Sequence, residues 1–237
     1  MLPVDALTPS MPKPVRLGRQ RARSLEDKDL RRGHLISAAA DLFAQSDFEG
    51  VTIAKIAQRA GVAKGTAYLY FSCKEAVFLE LLQLGLDEWA GGLERALRLN
   101  AQSVKPESVP VVVARTLAQR PMLGRLLVLL HTVIEPQLDL DSARAFKGFL
   151  HDLVVRLSVS LVEHIEGLHS AQAAVFVLQI HALVISVTQL ASPPPVIAQV
   201  LQEDVRLHSM VVSFEPFLAM TLQALLRGTL SNPSPTL

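Results

Sequence analysis

The chain has one cysteine, Cys73, among 237 residues. A lone thiol builds no disulfide framework and fits a reducing compartment, the cytoplasm. No matched base or resolving thiol stands near it, so neither thiol catalysis nor redox sensing is expected. Metal-ligand patterns are missing as well: the histidines form no His-Glu-x-x-His motif and have no companion cysteines, which argues against a metal site. There is no glycine-rich phosphate loop, because Gly91-Gly92 lies inside a helical run with no strand before it. With no catalytic constellation and no cofactor motif, the chain does not read as an enzyme. Uninterrupted apolar runs are short: residues 175–190 are very apolar, but Gln179, His181 and Gln189 interrupt them and the stretch is short for a membrane span. Residues 1–26 lack the continuous apolar core of a cleavable signal peptide. No membrane partner is expected.

Net charge is also nearly absent, at +1, but it is unevenly placed. Through Glu75 there are 12 basic and 8 acidic residues, and beyond it 11 and 14. A basic amino-terminal end suits a nucleic-acid reader. Half the residues are hydrophobic, and the length accommodates a small domain plus a larger core domain. No alternating strand pattern competes with helical spacing, so the fold class is all-α.

Residues 52–74 are the most informative stretch. Thr52 is placed to cap a short helix by accepting from the backbone N–H of Lys55. Ile53, Ile56 and Ala57 then share one face, leaving Lys55, Gln58 and Arg59 outside. Gly61 stands where the chain must turn sharply, in the left-handed region that glycine adopts without a Cβ penalty. Val62, Ala67 and Phe71 continue the buried pattern, while Lys64, Gly65, Thr66, Tyr68 and Tyr70 are left outward or toward the helix start. Gly65 costs about 1 kcal/mol against alanine in a helix; close approach of the backbone to DNA would explain it. Upstream, Leu35, Ala39, Leu42 and Phe43 form a further helical stripe, completing a three-helix unit with a helix-turn-helix. Tyr70 and Phe71 both also read as core aromatics, more so Phe71.

These residues carry a family resemblance. Asp41-Leu42-Phe43-Ala44, Phe48-Glu49-Gly50-Val51-Thr52, Ile56-Ala57, Ala60-Gly61-Val62, Lys64-Gly65-Thr66, Tyr68-Leu69-Tyr70-Phe71 and Lys74-Glu75 closely resemble the amino-terminal domain of the tetracycline-repressor (TetR) family over residues 31–82. The resemblance implies that Thr52 touches phosphate. It also implies that Lys64, Gly65 and Thr66 open the recognition helix, that Tyr68 and Tyr70 press on the backbone and thymine methyls, and that Lys74 clamps a phosphate. Ala63 and Ala67 depart from the common serine and leucine, and Cys73 stands where serine is common, at the helix N-cap.

Beyond Lys74 the chain reads as helices over about 73–99, 108–119, 121–135, 141–166, 170–191 and 207–228, with kinks expected at Gly91-Gly92 and Pro216. Two late helices look like an association surface, one through Ala174, Leu178, His181 and Ile185, the other through Val211, Phe214, Phe217, Leu218, Leu222 and Leu225. The resemblance implies a homodimer on a near-palindromic operator, and an apolar effector cavity lined from Trp89, His131, Glu135, His151, Gln179 and His181. His131 and Glu135, four apart, are placed to pair. The organisation expected is a basic, proline-containing arm over 1–26, a DNA-binding domain over 27–74, an effector and dimerisation domain over 75–230, and a tail over 231–237. The arm reads either as a plain disordered terminus or as an element following the DNA backbone. The functional expectation is a cytoplasmic repressor released from DNA by a small apolar or amphipathic molecule. The alternative is a same-fold DNA-binding protein steered by a protein partner or organising the chromosome.

Overall fold

The computed structural model describes residues 17–100 and 108–231, with side chains over 27–99 and 108–231. Among the described residues ten α-helices follow one another: α1 (Leu17–Gln45), α2 (Ile53–Arg59), α3 (Lys64–Tyr68), α4 (Lys74–Asn100), α5 (Val109–Ala118), α6 (Pro121–Leu129), α7 (Leu140–His164), α8 (Ser170–Ala191), α9 (Pro195–Glu203) and α10 (Phe214–Ser231). No strand occurs among the described residues.

The amino-terminal unit is built around three phenylalanines. Phe78 of α4 is fully buried, with Phe43 of α1 edge-on at 5.1 Å and Phe48 at 4.8 Å. Leu35, Ala39, Ile56, Ala57, Ala67 and Phe71 close the same core. Thr52 caps α2 by accepting from Lys55 N at 3.3 Å, and Gly61, with φ 70°, makes the turn into α3. Thus the local rules that predict this unit are the ones that build it.

The carboxy-terminal helices enclose a second core. α10 lies against α5 and α8; α7 packs on α8 and α4, and α6 on α8 and α4. Asp139 caps α7, accepting from Ser142 N at 2.8 Å. Gly167, with φ 82°, turns the chain between α7 and α8. Of the described helices only α8 has the length and apolarity to cross a membrane, yet Phe176, Ile180, Val184 and Val187 bury one of its faces inside this bundle. Leu178 and Leu190 stay exposed, so a single chain does not cover α8 on every side.

Several expected boundaries move. α1 begins at Leu17, so helix replaces the last part of the expected 1–26 arm; residues 1–16 and 232–237 lie outside the described residues. α4 runs unbroken through Gly91-Gly92, and the missing side chain at Gly92 admits the Arg120 guanidinium, whose Nη2 would lie 2.9 Å from a Cβ. The expected 121–135 helix ends α-helically at Leu129 and widens into a π-helical turn, Leu130–Ile134, then a 3-10 turn, Glu135–Gln137. The expected 207–228 helix is instead a 3-10 turn, Val205–Met210, a break, and α10. Pro216 is the third residue of α10, where its missing N–H is not needed, so no mid-helix kink arises.

Candidate nucleic-acid interface and apolar cavity

The first turn of α3 is open. Lys64, Gly65 and Tyr68 are exposed, Thr66 is half-buried, and a Cβ on Gly65 would meet nothing within 4 Å. Tyr68 is 50% exposed, and the Lys64 Nζ sits 5.9 Å from its ring centroid. Leu69, which sequence reading passed over, is 83% exposed at the end of α3. Such an apolar tip beside a tyrosine has no core role. Thr52 is exposed at the start of α2, its hydroxyl engaged in the cap. Tyr70, by contrast, is half-buried against the core. Phe71 is buried, as its core reading required.

Lys74 faces inward. Its ammonium donates to Phe48 O at 2.9 Å and Val51 O at 3.3 Å and lies 3.8 Å from the Phe48 ring centroid, with the side chain 19% exposed. The ammonium thus staples the 47–51 turn ahead of Thr52, and the salt dependence of DNA binding tests the expected phosphate clamp. Replacing Lys74 with methionine is expected to lower unfolding stability by about 1–3 kcal/mol, since two charge-assisted bonds are lost. The slope of log K against log salt should be unchanged. A loss of about 0.9 from that slope, the value for one phosphate contact, with unaltered stability would restore the clamp.

The second site is an apolar cavity of about 230 Å³ bounded by α4, α5, α6, α7, α8 and the π-helical turn. Trp89, Leu117, Leu127, Leu153, Leu157 and Val184 form much of its wall. The Trp89 indole N–H is satisfied by Thr116 Oγ1 at 3.2 Å, so the ring presents only hydrocarbon to the space. Polar side chains reach the cavity from one rim: His131, Lys147 and His181.

Those three groups and Glu135 form one network. His131 Nδ1 is 3.0 Å from Glu135 Oε2, His131 Nε2 is 3.0 Å from His181 Nε2, and Lys147 Nζ donates to Glu135 Oε1 at 2.6 Å. Burial opposes ionisation of Glu135, but the bonds from Lys147 and His131 outweigh it and hold the carboxyl below its usual range. An ionised carboxylate only accepts, so His131 Nδ1 carries a proton and the two Nε2 atoms share one between them. Burial, with the charges of His131 and Lys147, pushes the His181 imidazole down. The π turn is what brings His131 over the rim. Such widened turns recur at functional sites.

The expected lining set is only partly assembled. Trp89, His131 and His181 line the cavity, and Glu135 stands behind two of the rim groups. His151 does not: its side chain is 75% exposed beside Asp152, because it falls on the outer face of α7. Gln179 is also absent from the lining. Lys147 was invisible in the sequence, since nothing local links it to Glu135 twelve residues earlier. Also missed was Arg125 of α6, whose guanidinium donates to Phe43 O at 2.9 Å and Ser46 O at 2.7 Å and lies 4.0 Å from the Phe43 ring centroid. It ties the helix beside the cavity to the end of α1.

Residues 35–81 match a family model described as bacterial regulatory proteins, tetR family, and residues 84–233 match one described as tetracyclin repressor-like, C-terminal domain. The HTH-type transcriptional activator FasR of Mycolicibacterium smegmatis is 38% identical over 71 residues, 30% of this chain and 32% of that protein. The HTH-type transcriptional regulator RutR of Escherichia coli is 40% identical over 60 residues, 25% of this chain and 28% of that protein. The matches thus span about a third of the length of these curated relatives. Among solved structures, Thermus thermophilus FadR in complex with lauroyl-CoA is 22% identical, with a TM-score of 0.52 over 86% of this chain and 99% of that one. Bacillus subtilis FadR in complex with stearoyl-CoA is 19% identical, with a TM-score of 0.51 over 81% and 96%. These likenesses bear on the fold.

Proposed function

The chain belongs to the TetR family of bacterial transcriptional regulators, and from that premise we propose that it is a repressor released from a near-palindromic operator by a small amphipathic effector. The exposed first turn of α3 supports the DNA-reading half of this proposal. In this reading Lys64, Gly65 and Thr66 enter the major groove, and Tyr68 and the exposed Leu69 beside them meet sugars and thymine methyls. Thr52 adds a phosphate contact, and Tyr70 contributes mainly by its packing. Residues 27–74 form the DNA-binding domain in this reading, and 75–230 the effector and dimerisation domain, acting in the cytoplasm.

Dimerisation would use the open face of α8 with α10, where Leu178, Leu190 and Met220 are exposed on a single chain. A two-fold pair presents two copies of α3 to successive major grooves. The observation that carries the effector half is the cavity itself: a largely apolar chamber with polar groups gathered at one rim, the usual form of a small-molecule site. The fold neighbours that hold lauroyl-CoA and stearoyl-CoA make compounds with an alkyl or acyl chain the first class to screen. Two routes lead from the cavity to α3. α4 carries Trp89 at the cavity and Phe78 in the DNA-binding core, while α6 carries Leu127 at the cavity and Arg125 at the end of α1. Tenfold release requires only about 1.4 kcal/mol of differential ligand affinity between the two states.

The test is selection of genomic fragments by purified protein at near-physiological salt, followed by sequencing. A few sharp, near-palindromic sites are expected, each bound by a dimer and released by an alkyl-chain compound. Many scattered sites whose occupancy collapses at modest salt would overturn the local-repressor reading.

A further inference from the structure

The cavity has a chemical polarity that specifies its ligand more closely. Its interior is hydrocarbon, its rim carries one ammonium and two imidazoles, and among the described residues no acidic side chain lines it. The carboxylate of Glu135 stands outside the lining and bonds both Lys147 and His131. Lys147 and His131 are each about half exposed, so neither is sealed against an incoming group. Lys147 and His131 are therefore both bonded to an internal anion, from a position that a second carboxylate could share or take.

Resting on the effector reading above, we propose that the effector is a medium-chain carboxylate. Its chain fills the apolar chamber beside Trp89, and its head group binds Lys147 Nζ and the His131 imidazole in place of Glu135. A neutral alcohol offers no charge to the ammonium. At about 230 Å³ the cavity is also smaller than the usual range of about 300–1,000 Å³, which favours a shorter chain over the whole of a long acyl group. Glu135 then acts as the competitor that sets affinity: the ligand must displace one carboxylate with another, and removing the first strengthens the second. His181 stands on the far side of His131, the two Nε2 atoms 3.0 Å apart, and holds the His131 ring in place at the rim.

Trp89 is the sole tryptophan and lines the cavity, so its emission reports occupancy without any need for DNA. The probes are decanoate, decanol and decanoyl-CoA, which share a ten-carbon chain and differ at the head. Decanoate is expected to bind about tenfold or more tighter than decanol, the worth of one or two charge-assisted hydrogen bonds. Lys147→Met should erase that ratio while leaving decanol unchanged, and Lys147→Arg should restore most of it. Glu135→Gln should tighten decanoate several-fold and leave decanol alone. Thermal melts of each variant verify the fold, and the ratio between two probes on one protein does not depend on its stability.

Equal binding of decanol and decanoate would overturn the inference, as would a preference that survives Lys147→Met. Binding of decanoyl-CoA with none of decanoate would overturn it by assigning the anion to the nucleotide phosphates, and silence of Trp89 with all three would overturn it outright. The effector reading fails separately: decanoate that binds at Lys147 yet leaves the protein on its operator would end that reading and keep the site. Decanol that binds equally well and releases DNA would end the site and keep the reading.

Discussion

Gly65→Leu is expected to abolish specific DNA binding, with a loss of more than about a hundredfold, or roughly 3 kcal/mol, while leaving the fold intact or slightly steadier. Gly65 is the second residue of α3, it is exposed, and a Cβ built on it meets nothing within 4 Å. The protein itself therefore has no steric objection to a side chain. Helix propensity favours the change by up to about 1 kcal/mol. The reason for glycine must then lie outside the chain, in a body that approaches the first turn of the helix at backbone distance. A DNA groove is such a body, and a leucine there would hold the helix away from the base edges and phosphates that Lys64 and Thr66 have to reach. Gel shift on a selected operator, beside calorimetry of the same samples, separates the two effects. Gly65→Ala should show a smaller loss in the same direction. A leucine variant that binds its operator normally would mean that the start of α3 does not face DNA.

Phe78→Ala is expected to cost about 3–5 kcal/mol of stability, the range for deleting a fully buried aromatic ring. Phe78 has no exposed surface and anchors two edge-to-face contacts, with Phe43 from α1 and Phe48 from the turn before α2. A loss of this size is a large share of the total stability of a domain, about 5–15 kcal/mol. The consequence reaches function because Phe48 also faces the Lys74 ammonium, and the 47–51 turn that both residues hold leads directly into the Thr52 cap. Urea titration should show a lower midpoint, and operator binding should fall with it as α2 and α3 lose their support. A change below about 1 kcal/mol would show that the site collapses around the cavity at little cost, contrary to the close three-ring contact.

The two predictions sit at opposite ends of what could be read without coordinates. Gly65 stood out in the sequence because a glycine inside a helical pattern breaks a local rule, and local rules need only neighbours along the chain. The same holds for the Thr52 cap, the Gly61 turn, the His131–Glu135 spacing and the buried stripes of α1 and α2. Prolines were ambiguous for a local reason as well. Pro195 is the first residue of α9, and Pro216, expected as a kink, lies in the first turn of α10. Proline is tolerated at a helix start and disruptive in its interior, and spacing alone does not say which of the two applies.

The sequence by itself determined the all-helical class, the helix-turn-helix with its exposed Lys64, Gly65 and Tyr68, and the family, because each rests on short-range periodicity, capping and motif order. Tertiary structure alone decided what the charged side chains do. It turned Lys74 inward onto two carbonyls, set Arg125 on the end of α1, placed His151 in solvent, and joined His131, Glu135, Lys147 and His181 into one rim. Long side chains on separate helices find partners through crossing geometry, and that geometry is fixed by the apolar surfaces being buried, not by the charges that ride on them.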